Sequence, residues 1–303
     1  MKKSLDVYLY GMTVLSTIHR LKGSYPEADS YQEIESTRIV PGGETGNAAI
    51  LLARLGLHVR PEGPLLGTET RETILWFNRK WGVDSSRLKF DSRFEGWKDI
   101  VLVDGKHRNV FGWFAKRFSK EGGKKWSKPD AGEIRKAKVV SIDPYFGKES
   151  ERAAGLCHKA GKPFVTLDCA PESDCHRYSA VNVISQEFIK RVFPRANAKK
   201  LMSRYLSHSK GLTLFTFGTQ PIWYARPGKP TRKFKPYQVK VSGTLGAGDS
   251  FRAGMVYGLW RGWNDEECVR FSAGLAACVC RKFPVAQYPP TLPEVFRLTG
   301  QRA

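Results

Sequence analysis

Stretches with strand-like and helix-like apolar patterns alternate along the chain and predict an α/β fold. The short runs are rich in β-branched residues, as buried parallel strands are, and longer apolar stretches at helical spacing lie between them. The predicted strands are residues 7–9, 100–103, 139–142, 164–167, 183–184 and 212–216. The sequence therefore favours a mostly parallel central sheet flanked by helices.

Three helices are predicted to be buried over most of their surface. The first covers 47–55 and stops at Gly56, a residue type common at helix C-termini. The second starts after Gly248 and extends to about Trp260. The third covers about 265–280, with Asn264 or Asp265 as its N-terminal cap. The residues after about Pro290 are expected to be peripheral.

Two polar regions do not fit this pattern and predict a small second sheet. Residues 20–40 and 91–114 contain short alternating segments, and Asp104-Gly105 is typical of a tight turn between two paired strands. We expect a β-sheet lid built from about 17–40 and 91–114. The remainder of residues 1–303 is expected to form one α/β domain.

The charge of the chain favours anionic partners. Fifty Lys and Arg residues against 29 Asp and Glu give a formal net charge of +21, which attracts nucleotides, phosphorylated metabolites and nucleic acid. The basic residues are scattered, so a solvated surface is favoured over a dedicated nucleic-acid site. No apolar run is long enough to span a membrane, and the six cysteines lack zinc-site spacing. We expect free thiols and a cytoplasmic protein.

The segment GTLGAGDSF at 243–251 carries the most chemistry. The small residues Gly246, Ala247 and Gly248 precede a predicted helix, so their N–H groups can converge on an anion at its N-terminus. Asp249 would lie beside that anion and could take a proton from an attacking hydroxyl. Alternatively, Asp249 simply caps the helix after a glycine turn.

Two motifs resemble signatures of the ribokinase-like (PfkB) family of carbohydrate and nucleoside kinases. GTLGAGDSF is similar to the family pattern D-T-x-G-A-G-D-x-F, and GGETGNAA at 42–49 is similar to G-G-x-x-x-N-x-A. Both occur in the family's order, each followed by a helix. The resemblance implies a ribokinase-like α/β fold with a β-sheet lid. It also implies transfer of the γ-phosphate of ATP to a hydroxyl of a sugar or sugar-like acceptor.

The resemblance also implies roles for the matching residues. Asp249 would be the catalytic base, and the amides of Gly246, Ala247 and Gly248 would form the anion hole. The acceptor pocket would be lined, besides Asp249, by Ser16, Gly42, Gly43 and Asn47. ATP would be contacted by Thr216, Gly218, Thr244, Gly246 and Gly248.

The family pattern further implies Mg²⁺ with ATP, and a homodimer formed through the lid. The metal-organising N-x-x-E element falls at 185–188, where Glu187 alone could serve as a ligand. The metal would otherwise be held mainly by ATP and water. Dependence on a monovalent cation stays open. Asp143 and Asp168 follow predicted strands and could either contact ligands or cap the strand ends. His107 and Arg108 are expected to be simply exposed in the lid.

Several departures from the pattern concern the acceptor. Ser16 stands where the family has an aspartate that binds sugar hydroxyls, and Gly243 stands where the second signature begins with aspartate. Since the base and the anion loop are intact, an unusual acceptor is favoured over a loss of activity. The alternatives are a nucleoside kinase of the same family, or an inactive member that binds nucleic acid or another polyanion.

Overall fold

The computed structural model describes residues 4–104, 107–114, 118 and 123–301. The strands in this part of the chain are β1 (Val7–Tyr10), β2 (Val14–Leu21), β3 (Ile34–Gly42), β4 (Val59–Glu62), β5 (Lys98–Val103), β6 (Arg108–Gly112), β7 (Val139–Ile142), β8 (Phe164–Leu167), β9 (Val181–Ser185), β10 (Leu212–Phe217), β11 (Gln220–Ala225) and β12 (Arg232–Phe234). All six predicted strands are confirmed within them.

The helices differ in length from four to 17 residues. They are α1 (Glu44–Arg54), α2 (Arg71–Trp81), α3 (Ala131–Lys136), α4 (Lys148–Lys159), α5 (Asp174–Arg177), α6 (Gln186–Val192), α7 (Ala198–His208), α8 (Ala247–Arg261), α9 (Asp265–Arg281) and α10 (Leu292–Thr299). A 3₁₀ turn covers Pro144–Phe146. None of the helices in the described ranges combines the length and hydrophobicity needed to cross a bilayer.

The larger sheet has eight strands in the order β12-β11-β10-β9-β8-β7-β1-β4. The six strands from β10 to β4 pair in parallel. At the other edge, β11 and β12 are added antiparallel. The predicted mostly parallel central sheet is therefore confirmed.

Helices cover both faces of this sheet, which explains why its central strands are continuously apolar. In β1, Val7 and Leu9 pack into a core shared with α1, α8 and α9. The alternate residues Tyr8 and Tyr10 pack into a second core shared with α3 and α4. Because successive side chains of a strand point to opposite faces, the residues of β1 pack alternately into the two cores.

Four strands form the second sheet in the order β3-β2-β5-β6. β2 and β5 pair in parallel, and the two outer pairings are antiparallel. Ile18, Val101 and Val103 on its inner side belong to the main core. β5 and β6 pair on either side of the predicted turn at Asp104-Gly105, although Gly105 itself lies outside the described residues.

Two helices, α8 and α10, correct the sequence-based interpretation. α8 begins at Ala247 with Gly246 at its cap position, so the alternative that Asp249 caps this helix is wrong. α10 packs against α9 with Val295 fully buried, so the residues after about Pro290 are not peripheral as expected. The prediction of Asn264 as the cap of α9 is confirmed, because its side chain accepts from the Glu267 amide.

Candidate active site

The anion loop is built by the N-terminus of α8. Gly246 has φ of 82°, a left-handed conformation, and a Cβ at this position would lie 2.8 Å from Cγ2 of Val285. Glycine is therefore required there. Ala247, Gly248 and Asp249 form the first turn; the Ala247 amide donates to the Thr244 carbonyl at 3.2 Å, and the amides of Gly248 and Asp249 lack a carbonyl partner among the described residues. This helix end is suited to an anion.

Asp249 and Asn47 connect the two signature motifs. Nδ2 of Asn47 donates to Oδ2 of Asp249 over 2.7 Å, although the residues are 202 positions apart. Burial raises the pKa of Asp249, while the hydrogen bond from Asn47 and the charge of Arg252 act in the opposite direction. A carboxylate whose pKa is raised towards neutrality is a stronger base than an exposed one.

A buried ion pair lies beneath the base. Arg252 and Asp143 are fully buried and bonded to each other. Oδ2 of Asp143 also accepts from the Met12 amide at 2.6 Å and from Oγ1 of Thr45 at 3.0 Å. A Cβ on Gly11 would overlap the Asp143 carboxyl group, so this close approach requires glycine. Asp143 is thus a structural partner of Arg252 and not merely a strand-end residue.

Glu44, the first residue of α1, is a third carboxyl group near Asp143 and Asp249. Burial and the charges of Asp249 and Asp143 together raise its pKa to about 8. The hydroxyl of Tyr145 forms a hydrogen bond with Glu44. The raised pKa favours the protonated form of Glu44, which limits the negative charge around the base.

The residues predicted to line the acceptor pocket gather at the start of α1. Ser16 is buried in β2, and its Oγ fills the space that a side chain on Gly42 would need. Gly43 has φ of 79°, and a Cβ there would lie 2.7 Å from the Met12 carbonyl oxygen. Asn47 follows in the same helix and contacts Asp249 as described. The structure thus brings Ser16, Gly42, Gly43 and Asn47 together.

The residues predicted to contact ATP lie at the carboxyl edge of the main sheet. Thr216 pairs with Ser185 across β9 and β10, and Gly218 adopts φ of 64° in the following turn. Asp168 has φ of 43° and accepts from the amide and the hydroxyl of Ser185 at 2.7 and 2.9 Å. Burial raises its pKa to about 6. Asp168, Ser185 and Thr216 therefore lie side by side.

The lid reaches this edge through Arg108. Its Nη1 donates to Oγ1 of Thr244 at 3.2 Å, and its Nη2 lies 3.5 Å from Oε2 of Glu187. Arg108 is exposed as expected, and it also connects β6 with the anion loop. The Glu187 side chain itself is 77% exposed. The described residues include no cluster of three or more His, Cys, Asp or Glu suited to a metal ion.

Sequence reasoning missed Arg252, Glu44 and Asp99 as members of this region. Arg252 carries a visible signal, because a charge among the apolar residues of the middle of α8 is a buried charge that needs a partner. A groove of about 790 Å³ beside α2, lined in part by Arg71 and Trp76, contains none of the predicted site residues. The candidate active site is therefore identified by the polar contacts among its residues and not by this groove.

Comparison with known proteins places nearly the whole chain in one family. The model of the pfkB family carbohydrate kinases matches residues 6–291. A 5-dehydro-2-deoxygluconokinase of Shouchella clausii is 24% identical over 89% of this chain and 90% of the relative. A nucleoside kinase of Methanothermobacter thermautotrophicus is 25% identical over 99% of this chain and 98% of the relative.

Solved structures show the same fold. The ribokinase of Arabidopsis thaliana, complexed with ribose and ATP, superposes with a TM-score of 0.79 at 16% identity and covers 99% of this chain and all of its own. The nucleoside kinase of Methanocaldococcus jannaschii superposes with a TM-score of 0.78 at 18% identity, covering 98% and 99% of the two chains. The chain therefore belongs to the pfkB family of carbohydrate kinases, phosphotransferases with an alcohol group as acceptor.

Proposed function

We propose that this protein is an ATP-dependent kinase that phosphorylates a hydroxyl of a sugar or sugar-like acceptor, with Asp249 as the general base. The observation that carries the proposal is the contact between Asn47 and Asp249. It joins the two signature motifs at a helix N-terminus suited to an anion. A base beside an anion site is the arrangement that phosphoryl transfer requires.

The proposed reaction uses the chain's own groups as follows. The acceptor oxygen attacks the γ-phosphorus in line, and its proton passes to the Asp249 carboxylate. The bond between the γ-phosphorus and the bridging oxygen breaks, and ADP leaves. The amides of Gly246, Ala247 and Gly248 stabilise charge on the phosphoryl oxygens. The second sheet acts as a lid that excludes water, which would otherwise compete as acceptor.

We place the two substrates on opposite sides of Asp249. Ser16, Gly42, Gly43 and Asn47 would line the acceptor side, because they gather at the start of α1 beside the base. ATP would lie on the side of Thr216, Gly218 and Thr244, with its γ-phosphate at Gly246 and Gly248. Relatives named as sugar and nucleoside kinases make a nucleoside the second candidate acceptor.

Magnesium fits this site only as an ion that arrives with ATP. Mg²⁺ needs as few as one or two protein carboxylates when phosphates and water complete its shell. Asp168 and Glu187 are close enough for the charge of Glu187 to raise the pKa of Asp168, and they are the carboxylates we propose for it. The ion would neutralise phosphate charge. Dependence on a monovalent cation is tested by comparing activity in Na⁺ with activity in K⁺.

The basic surface is the feature that favours the other class of function, binding of nucleic acid by an inactive member. Basic residues are most frequent at 116–128; in the described part of this stretch Lys124 is paired with Glu149 and Lys125 with Asp91 at 3.0 Å, whereas Lys128 is exposed. Neutralised lysines contribute little to binding a phosphate backbone. The kinase is therefore our proposal, and nucleic-acid binding is an outcome of its test.

The test is a coupled ADP-release assay with Mg-ATP and a panel of sugars, sugar acids, polyols and nucleosides. At least one acceptor should give turnover, and Asp249→Asn should lower kcat by about 10²- to 10⁴-fold because the base is lost. Glu266→Gln is the matched control, since it makes the same carboxyl-to-amide change on a half-exposed side chain of α9. Salt-sensitive RNA or DNA binding without any acceptor-dependent turnover would contradict the proposal.

A further inference from the structure

Asp99 is a buried carboxylate that the fold itself leaves unsatisfied. It lies in β5 with 8% of its surface exposed, and its Oδ1 has no hydrogen-bond partner among the described residues. Its side chain accepts a hydrogen bond from Ser16, which stands beside it in the parallel register of β2 and β5. An unpaired buried carboxylate oxygen is costly, so its presence in a native fold needs an explanation.

The described neighbours of Asp99 in the sheet supply no cation. Its partners in the adjacent strands are Ser16 and Gly112, both small, and the ring of Phe114 occupies the place of a side chain on Gly112. Burial raises the pKa of Asp99 to about 6, and the bond from Ser16 is the opposing influence. The nearest lysine in sequence, Lys98, is bonded to Glu69 instead. The carboxylate is therefore ionised at neutral pH, largely buried and without an ion-pair partner in the described chain.

A chain of contacts places Asp99 on the acceptor side of the base. Ser16 touches the position of Gly42, which leads directly into α1. One turn into α1, Asn47 donates to Asp249. Asp99 and Asp249 are thus connected through Ser16, Gly42 and Asn47 around the N-terminus of α1.

We propose that Asp99 binds the acceptor by accepting hydrogen bonds from hydroxyls other than the one that is phosphorylated, and that this makes the pocket selective for an uncharged, hydroxyl-rich acceptor. This inference rests on the proposed kinase function and narrows its substrate class.

Charge complementarity supports the selectivity. Asp143 is paired with Arg252, and burial with the nearby carboxylates raises the pKa of Glu44, so Asp99 and Asp249 are the remaining carboxylates on the proposed acceptor side. Arg108 contacts Thr244 and Glu187, on the side proposed for the phosphates of ATP. A carboxylate on the acceptor would meet like charge and lose affinity. Sugar acids should therefore be poor acceptors, and neutral sugars, polyols or nucleosides should be good ones.

The experiment compares the wild type with Asp99→Asn in steady-state kinetics and thermal unfolding. Asn keeps the shape but accepts weaker hydrogen bonds, so KM for the acceptor should rise about 10- to 100-fold while KM for ATP stays unchanged. The melting temperature of the ligand-free variant should rise, because an unpaired buried charge is removed. Glu69→Gln, on a half-exposed carboxylate paired with Lys98, is the matched control and should change neither constant.

Three results separate the possible failures. An unchanged acceptor KM with a lower melting temperature would make Asp99 a structural residue and overturn the inference. Turnover of D-gluconate as fast as of D-ribose, D-fructose or adenosine would overturn the selectivity. If no acceptor gives turnover, the proposed function fails, and the melting temperature measured with each of the same four compounds tests whether Asp99 binds a ligand. A neutral compound that raises the melting temperature of the wild type but not of Asp99→Asn supports the inference. If no compound raises the melting temperature of the wild type, the inference is overturned.

Discussion

Glu44 is the residue whose titration should limit activity at high pH. Its pKa is raised to about 8 by burial and by the charges of Asp249 and Asp143. Above that pH it ionises and places negative charge beside the base and the anion loop. We expect kcat/KM of the wild type to fall above about pH 8, whereas Glu44→Gln keeps its activity there. A pH profile of both proteins, each normalised at pH 7, checks this.

The same group affects stability with a definite sign. The pKa of Glu44 is higher in the folded chain than its ordinary value of 4.5. Its favourable contribution is therefore complete below the unfolded pKa and is lost as the pH rises through about 8. Glu44→Gln should flatten this decline in the free energy of unfolding. An identical decline of stability between about pH 4.5 and 8 in both proteins, or an identical fall of activity above pH 8, would contradict the role given to Glu44.

At the scale of single residues, sequence reasoning worked where a motif carried the information. Asp249 and Asn47 were predicted from the two signatures, and the structure brings them together. The burial of Asp99 could have been predicted, because side chains alternate along a strand and Asp99 is on the same face as Val101 and Val103, which face the core. The ion-pair partner of Arg252 could not have been predicted, because Asp143 lies 109 positions away and only the folded sheet brings the two together.

The anion loop makes a prediction at the scale of an element. A Cβ on Gly248 would meet nothing within 4 Å, whereas one on Gly246 would meet Val285 and require a left-handed alanine. Gly248→Ala should therefore keep or slightly raise stability, because alanine favours the helix. It should still lower kcat at least about 10-fold, because the methyl group occupies space where phosphoryl oxygens approach the amides.

Gly246→Ala serves as the contrasting variant of the same loop. Strain at φ of 82° should cost it about 1 kcal/mol of unfolding free energy in addition to activity. The two variants are compared by chemical denaturation and by the ADP-release assay. Full activity in Gly248→Ala would show that the phosphoryl group does not approach this turn.

Elements were predicted most completely where their pattern is local. The apolar runs of β7, β8 and β10 need no partner to be recognised, and the capping box of α9 lies within four residues of sequence. α10 was misjudged because its amphipathic face is meaningful only against α9, which covers Val295. The pairing of β2 with β5 likewise joins segments far apart in sequence, and alternation alone does not specify it.

The outer face of the lid carries information about the whole molecule. Ile39 and Phe111 are aligned with Thr17 and Ile100 on the face opposite Ile18 and Val101, and they are 52 and 53% exposed. Apolar side chains grouped on one sheet mark an interaction surface more often than scattered ones do. We propose that two copies of the chain pair through this face.

The net charge of +21 makes the homodimer testable through its dependence on salt. Two like-charged copies repel each other, and salt screens this repulsion while leaving apolar contact intact. The dimer should therefore tighten as salt is raised, whereas binding of nucleic acid weakens steeply.

In sedimentation velocity the wild type should shift towards dimer between low and high salt. The double variant Ile39→Lys/Phe111→Lys should stay monomeric, and its free energy of unfolding should be unchanged. A wild type that remains monomeric at every salt concentration rules the dimer out, because the repulsion that could mask it has been removed.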